Sequence, residues 1–164
     1  PEMAFLSVWD EIASACIGAR WQIRVAGVEP DRTQLHFQPP VSALSIARFM
    51  CEAQPALDAA LQKGGWGGSD FVLPYAVEEA DVERWLTYRE MVDDYAVRAA
   101  NEGRIDRLTV RDLPRLWPRS FDPESGQMTF KEHDVARKDK GRVGSALIAL
   151  LSPVFGVAIR VEWV

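Results

Sequence analysis

The chain has 164 residues, of which 48% are hydrophobic and 26% are charged, and its formal net charge is −5. This composition is typical of a globular domain with a real core and excludes a fibrous or wholly disordered chain. The acidic balance argues against simple electrostatic binding to nucleic acid or to an anionic membrane, because phosphate binding normally requires an excess of Lys and Arg.

The two cysteines and the start of the chain give limited information. Cys16 and Cys51 lie in largely apolar segments with helical spacing, which predicts buried free thiols. With two histidines lacking close spacing, they predict no zinc site and no cofactor. The first residues, PEMAFLSVWDE, lack the pattern of a signal or membrane segment, so we expect a cytoplasmic protein without a membrane partner. An opening proline without methionine is compatible with a fragment of a longer protein.

The first half of the chain predicts a helix, a hairpin, a second helical segment and a short strand. Apolar residues at helical spacing predict a helix over residues 4–18, and alternating residues on either side of a turn at 29–32 predict strands over 20–26 and 33–38. The helical pattern of 42–63 contains Pro55, which either bends one helix or starts another. The segment SDFVLPY then predicts a strand that ends at Pro74.

The second half begins with the clearest helical pattern of the chain, Glu78 to Asn101, with Gly103 beyond its end. Thr109 is a predicted N-cap of a brief helix that Pro118 ends. A turn near residues 122–126 precedes a strand over 126–132. Asp134 is the predicted N-cap of a helix that reaches Phe155. Gly141 and Gly144 make a loop over 134–144, with the helix starting at Ser145, the alternative. An apolar strand closes the chain over 157–164.

These elements predict one α+β domain over residues 1–164, with a mostly antiparallel sheet of about five strands and helices packed on it. The segments 29–38 and 122–131 resemble each other, with aligned Gln, Phe and Pro residues offset by 93 positions. This similarity suggests two β-α-β halves, 29–74 and 122–164, joined by the long central helix. A chance match between common turn-strand units is the alternative.

The segment KGGWGGSDF, residues 63–71, contains four glycines around Trp66. It matches neither a phosphate-binding P-loop nor a dinucleotide fingerprint, because the glycines follow a helix and precede a strand. A helix C-cap at Lys63-Gly64 followed by a turn is the simpler interpretation. Trp66 and Trp117 both fall in loops or at a helix end, and because indoles are enriched at protein interfaces we predict both as interaction residues.

Acidic residues are concentrated at the start of the central helix, where the helix dipole favours negative charge. They are Glu78, Glu79, Asp81 and Glu83, and together with Glu90 and Asp94 they suggest an acidic face over 78–94. The helix contains no Glu-x-x-His partner for a carboxylate metal site, so we predict no metal. A solvated helix surface and a contact surface for a partner are both compatible with this face.

A basic region follows, with ten Lys and Arg against seven Asp and Glu over residues 104–142. The helical spacing of part of this set predicts ridges of positive charge that could contact phosphates, formed by Arg107, Arg111, Arg115, Lys138 and Arg142. Interleaved aspartates make a mixed, solvated surface the competing interpretation.

No catalytic motif accompanies these features. We therefore predict a non-catalytic accessory or protein-interaction domain with an unidentified protein partner, in contact through Trp66, Trp117 and the acidic 78–94 face. A nucleic-acid-binding module that uses the basic 104–142 region is the alternative. An enzyme of unrecognised type is a third reading, with His133 beside Asp134 as its general base.

Overall fold

The computed structural model describes residues 9–14, 23–29, 32–38, 41–105 and 116–164. The chain divides into two compact units, Pro1–Trp85 and Leu86–Val164, and each contains one three-stranded sheet. Residues 9–14 are helical, as the sequence predicts, and the indole of Trp9 is buried. The remainder of the predicted first helix, with Cys16, and the brief helix predicted from Thr109 lie outside the described residues.

The first sheet begins with the predicted hairpin, strands β1 (Ile23–Glu29) and β2 (Arg32–Phe37), which pair antiparallel. Two helices follow, α1 (Ala43–Glu52) and α2 (Gln54–Lys63). Pro55 lies in the first turn of α2, where its missing N–H has no intrahelical partner to lose, so it starts a second helix. Strand β3 (Gly68–Val72) then returns parallel to β2.

Three phenylalanine rings form the core beneath this sheet. Phe37 of β2 stacks on Phe71 of β3 with 4.9 Å between ring centroids. Phe49 of α1 meets both rings edge-on, at 5.5 Å and 5.4 Å. Because the side chains of α1 and the parallel strand pair interlock in this way, the helix and the sheet stabilise each other.

Helix α3 (Glu79–Asn101) is the predicted central helix, and it starts one residue later than predicted. Buried side chains recur every three or four residues and so form one face, with Val82, Trp85, Tyr88, Val92, Tyr95 and Ala99 along it and the buried Arg89 and Ala96 beside it. Gly103, with φ of 68°, ends it in the left-handed conformation. The N–H of Arg104 donates to the carbonyl of Ala99 at 2.8 Å, which completes a glycine C-cap.

The second sheet contains β4 (Ser120–Phe121), β5 (Gln127–Phe130) and β6 (Arg160–Trp163), with helix α4 (Lys140–Phe155) between β5 and β6. The sequence patterns did not predict β4, which has only two residues. The prediction that Asp134 is the N-cap of the last helix is wrong. Glu132–Asp134 and Arg137–Asp139 form separate 3₁₀ turns, and α4 begins only at Lys140.

The α+β class is confirmed, but the prediction of one mostly antiparallel sheet of about five strands is wrong. The described strands form two sheets, in the orders β1-β2-β3 and β4-β5-β6. In each sheet a tight turn produces an antiparallel pair, and a helical crossover then returns the third strand parallel to the second. The physical reason is the connection length, because only a crossover of a dozen or more residues allows a parallel neighbour.

The two sheets share a further detail at the start of the returning strand. The N–H of Ser69 donates to Asp58 of α2 at 2.9 Å, and the N–H of Ile159 donates to the hydroxyl of Ser152 of α4 at 3.1 Å. In the first sheet Ser69 pairs with Thr33. In the second sheet Arg160, the residue after Ile159, pairs with Gln127. Gly126, which precedes Gln127, lies 93 positions after Thr33. In each sheet, therefore, a helix side chain accepts a backbone hydrogen bond near the start of the returning strand; a relation between the two β-α-β halves stays a prediction.

Candidate functional site

The glycine segment after α2 is a helix C-cap that positions Trp66. The N–H of Trp66 donates to the carbonyl of Leu61 at 3.0 Å, and that of Gly65 donates to Gln62 at 3.1 Å. This is the Schellman pattern, and Gly65, with φ of 85°, occupies the left-handed position, directly after the predicted cap at Lys63-Gly64. The segment is therefore a capped turn, and none of its glycines opens a helix.

The indole of Trp66 folds back over the chain. A Cβ on Gly64 would lie 2.2 Å from Cζ3 of the ring, so the indole covers the face of Gly64 where a side chain would otherwise stand. Trp66 is half-buried. Part of the ring therefore remains accessible to a partner.

Trp117 is in a different situation, because its side chain is only 3% exposed. Its ring lies 5.6 Å from that of Tyr88, and the guanidinium of Arg89 lies 5.1 Å from its centroid. Tyr88 and Arg89 both donate hydrogen bonds to the carbonyl of Leu116, at 2.9 Å and 3.2 Å. These contacts with α3 hold the segment at Leu116 and Trp117 in the interior, so Trp117 does not offer an exposed anchor.

An apolar groove with an acidic rim lies between α1, β3 and the start of α3. It has a volume of 450 Å³ and an apolar floor formed by Ile46, Met50, Phe71, Leu73 and Val82. Asp70, Glu79 and Glu83 supply carboxylates to its lining, and none of the described lining residues is Lys or Arg. The carboxylate of Asp70 forms an ion pair with Arg32, which lies outside the lining. Part of the predicted acidic 78–94 face therefore borders apolar surface, a relation that helical spacing alone does not reveal. We call this feature the acidic groove.

The segment that follows β3 contributes an exposed tyrosine that the sequence analysis missed. Tyr75 is 105% exposed and lines a second concavity, of 590 Å³, with Arg24 and His36. Arg24 and His36 face each other across the β1–β2 pair. A tyrosine directly after Pro74 in a strand-ending segment was the available signal, since such residues are enriched in binding surfaces.

The predicted basic set is only partly within the described residues. Arg107, Arg111 and Arg115 lie outside them. Lys138 and Arg142 line one open cavity of 630 Å³, together with Arg104, Tyr95, Gly141, Ser145 and Ala146. We call this feature the basic cavity. The sequence analysis counted Arg104 in the basic region but did not place it beside Lys138 and Arg142.

Carboxylates within the same unit moderate the positive charge of the basic cavity. Arg104 pairs with Glu102 at 2.6 Å, and Arg142 pairs with the fully buried Asp139. About half of each arginine side chain remains exposed, 44% for Arg104 and 51% for Arg142. A guanidinium has five N–H donors. Each arginine can therefore keep its carboxylate and still present donors to the cavity.

The remaining polar candidates do not assemble into a catalytic group. His133 is exposed in a 3₁₀ turn that includes Asp134. Asp122 has a lowered pKa because it accepts hydrogen bonds from the hydroxyl of Ser125 and the N–H of Glu124, in an exposed turn. Among the described residues no group of three His, Cys, Asp or Glu side chains is arranged to hold a metal ion. The carboxylate of Asp122 therefore has a structural role in its turn.

Comparisons with protein-family models, with curated proteins and with solved structures find no match. Within the described part of the chain, no helix has both the length and the apolar character needed to cross a bilayer. The acidic groove and the basic cavity are therefore the two features on which functional inference rests.

Proposed function

We propose that the protein is a non-catalytic interaction domain and that the acidic groove receives a cationic, amphipathic segment of a protein partner. The observation that carries this proposal is an apolar floor beside three carboxylates, of which Asp70 is paired with Arg32, in a lining whose described residues include no Lys or Arg. Apolar area supplies affinity, and complementary charge supplies orientation and association rate.

The charge of the surrounding unit supports a basic partner. Residues 1–85 carry six Lys and Arg residues against twelve Asp and Glu residues. A field of this sign attracts a cationic segment and repels an acidic one. A helix with Lys or Arg beside apolar residues at positions i, i+3 and i+4 presents both features that the groove offers.

The test is fluorescence anisotropy with a labelled basic amphipathic helical peptide, compared with a peptide of the same composition whose apolar residues are dispersed. The double variant E79Q/E83Q should weaken binding of the first peptide by about tenfold, because it removes two carboxylates from the groove. The variant E90Q/D94N is a matched control, since it removes the same charge from the same helix outside the groove lining. Equal losses in both variants would show a non-specific charge effect and reject the groove.

The second candidate function is nucleic-acid binding, favoured by the convergence of Lys138, Arg142 and Arg104 on the basic cavity. Titration with labelled single- and double-stranded oligonucleotides at increasing salt tests it. Phosphate contacts make log affinity fall linearly with log salt concentration. Absence of binding at low salt would reject this candidate and leave the interaction domain.

A further inference from the structure

Gly141 is a glycine whose presence the fold does not explain. It is the second residue of α4, and its φ is not in the left-handed region. Among the residues that the structure describes, no heavy atom would lie within 4 Å of a Cβ at this position, so packing against them does not require glycine either. A helical residue without a conformational or packing constraint is more stable as alanine. An exposed glycine without these constraints is suited to close approach of a ligand to the backbone, which is one of the uses of glycine.

The surroundings of Gly141 identify the chemistry of that ligand. Gly141 lines the basic cavity with the cations Arg104, Lys138 and Arg142 and with the exposed hydroxyl-bearing residue Ser145. Guanidinium and ammonium groups that meet around one concavity, beside an exposed backbone, form the donor set that phosphate oxygens accept from. We propose that the basic cavity is a binding site for a phosphate monoester and that Gly141 keeps it open.

A monoester fits this cavity better than a polymer backbone does. The three cations surround one concavity, which suits a single group, whereas a phosphodiester track would need cations spread along a groove. A monoester also carries nearly two negative charges at neutral pH, against one for a diester, and so gains more from the cations of the cavity, two of which are shared with Glu102 and Asp139. The ligand can be a free nucleotide or the phosphorylated end of a nucleic acid, because both carry the same terminal group.

The predicted effects of Gly141→Ala on stability and on binding have opposite signs. The added methyl group should raise Tm by about 1–3 °C, because alanine favours the helix more than glycine does. It should also weaken phosphate binding by about tenfold, because it occupies the space at the backbone. A purely structural role for Gly141 would not produce this combination.

Two further variants complete the design. Gly144→Ala is a matched control on the same helix, because its Cβ would meet Trp163 and Val161 at the ordinary distances of 3.9 Å and 4.0 Å, away from the cavity lining. It should leave phosphate affinity unchanged. Arg104→Gln should weaken binding without unfolding the protein, since its partner Glu102 is 57% exposed. Arg142 is a poorer choice, because its removal would leave the fully buried Asp139 without that ion pair.

The experiment is isothermal titration calorimetry of the full chain with inorganic phosphate, AMP, a 5′-phosphorylated oligonucleotide and the same oligonucleotide with a 5′-hydroxyl. We expect the first three to bind and Gly141→Ala to reduce each affinity. No heat of binding at about 10 mM phosphate or AMP, or unchanged affinity in Gly141→Ala, would overturn the proposal. Equal binding of the two oligonucleotides would also overturn the proposal, because the protein would then contact the phosphodiester backbone of the oligonucleotide and not its 5′-phosphate. Because all probes are anions, none of these outcomes tests the acidic groove.

Discussion

The packing of Trp66 on Gly64 predicts that Gly64→Ala destabilises the protein. The new Cβ would lie 2.2 Å from Cζ3 and 2.4 Å from Cε3 of the indole, which is far inside contact distance, so the ring must leave its position. Backbone strain does not contribute. Gly64 has φ of −83° and ψ of −3°, a conformation that alanine adopts readily.

Two effects of opposite sign determine the magnitude. An aromatic side chain buries about 150–250 Å², and loss of about 100 Å² from the half-buried Trp66 corresponds to about 2.5 kcal/mol at about 25 cal/mol per Å². Replacement of glycine by alanine at a compatible position stabilises by about 0.4–1 kcal/mol, because the unfolded chain has fewer conformations. The free energy of unfolding should therefore fall by about 1.5–2 kcal/mol.

The assay is urea denaturation followed by far-UV circular dichroism, applied to the wild type, Gly64→Ala, Trp66→Ala and the double variant. Without the indole, Gly64→Ala should be neutral or stabilising by about 0.5 kcal/mol, so the coupling energy between the two sites should be about 2 kcal/mol. If Gly64→Ala has the same effect in both backgrounds, the indole does not lie on Gly64 and the reasoning fails.

Two other predictions concern the turn between β4 and β5. Gly126→Ala should cost at least about 2 kcal/mol in chemical denaturation, because Gly126 has φ of 77° and its Cβ would lie 2.1 Å from the carbonyl oxygen of Ala158. Gly156→Ala, with φ of 68° and open space, should cost less, and equal losses would contradict the steric argument. Because the pKa of Asp122 is lower in the folded state than its ordinary value of 3.8, the ionised carboxylate stabilises the fold at pH values above 3.8. This stability is lost as the pH falls through the folded-state pKa. Asp122→Asn should flatten this acid limb of a pH–Tm profile, and an unchanged limb would contradict the assignment.

Local patterns were sufficient to predict α3 and the β1–β2 hairpin, and to indicate helical segments at α1, α2 and α4 although not the residue at which α4 begins. The spacing of Val82, Trp85 and Tyr88 marks one face of α3 without reference to any distant residue. In the same way, alternation on both sides of the 29–32 turn indicates an antiparallel pair, which β1 and β2 form. Where the information lies within one or two turns of the chain, the sequence alone predicts the element.

Local patterns could not predict which strands share a sheet or which side chains are buried, because both depend on residues that are distant in the sequence. Strand β3 could not be assigned to its own sheet, since its pairing with β2 is fixed by the packing of Phe71 against Phe37 and Phe49. Trp117 resembled an exposed loop residue, and its burial depends on Tyr88, 29 positions earlier in the chain. The acidic groove and the basic cavity likewise combine residues from separate elements.

The hydrogen bonds from Ser69 to Asp58 and from Ile159 to Ser152 favour one pairing register for each returning strand. A returning strand that slipped by one residue would turn its apolar side chains to the opposite face of the sheet. Such a slip would also move the donor N–H away from the helix side chain that accepts its hydrogen bond. Each crossover helix therefore specifies the alignment of the strand that follows it. Because each of these hydrogen bonds joins residues of one unit, a register error in one sheet is opposed by contacts within that same unit.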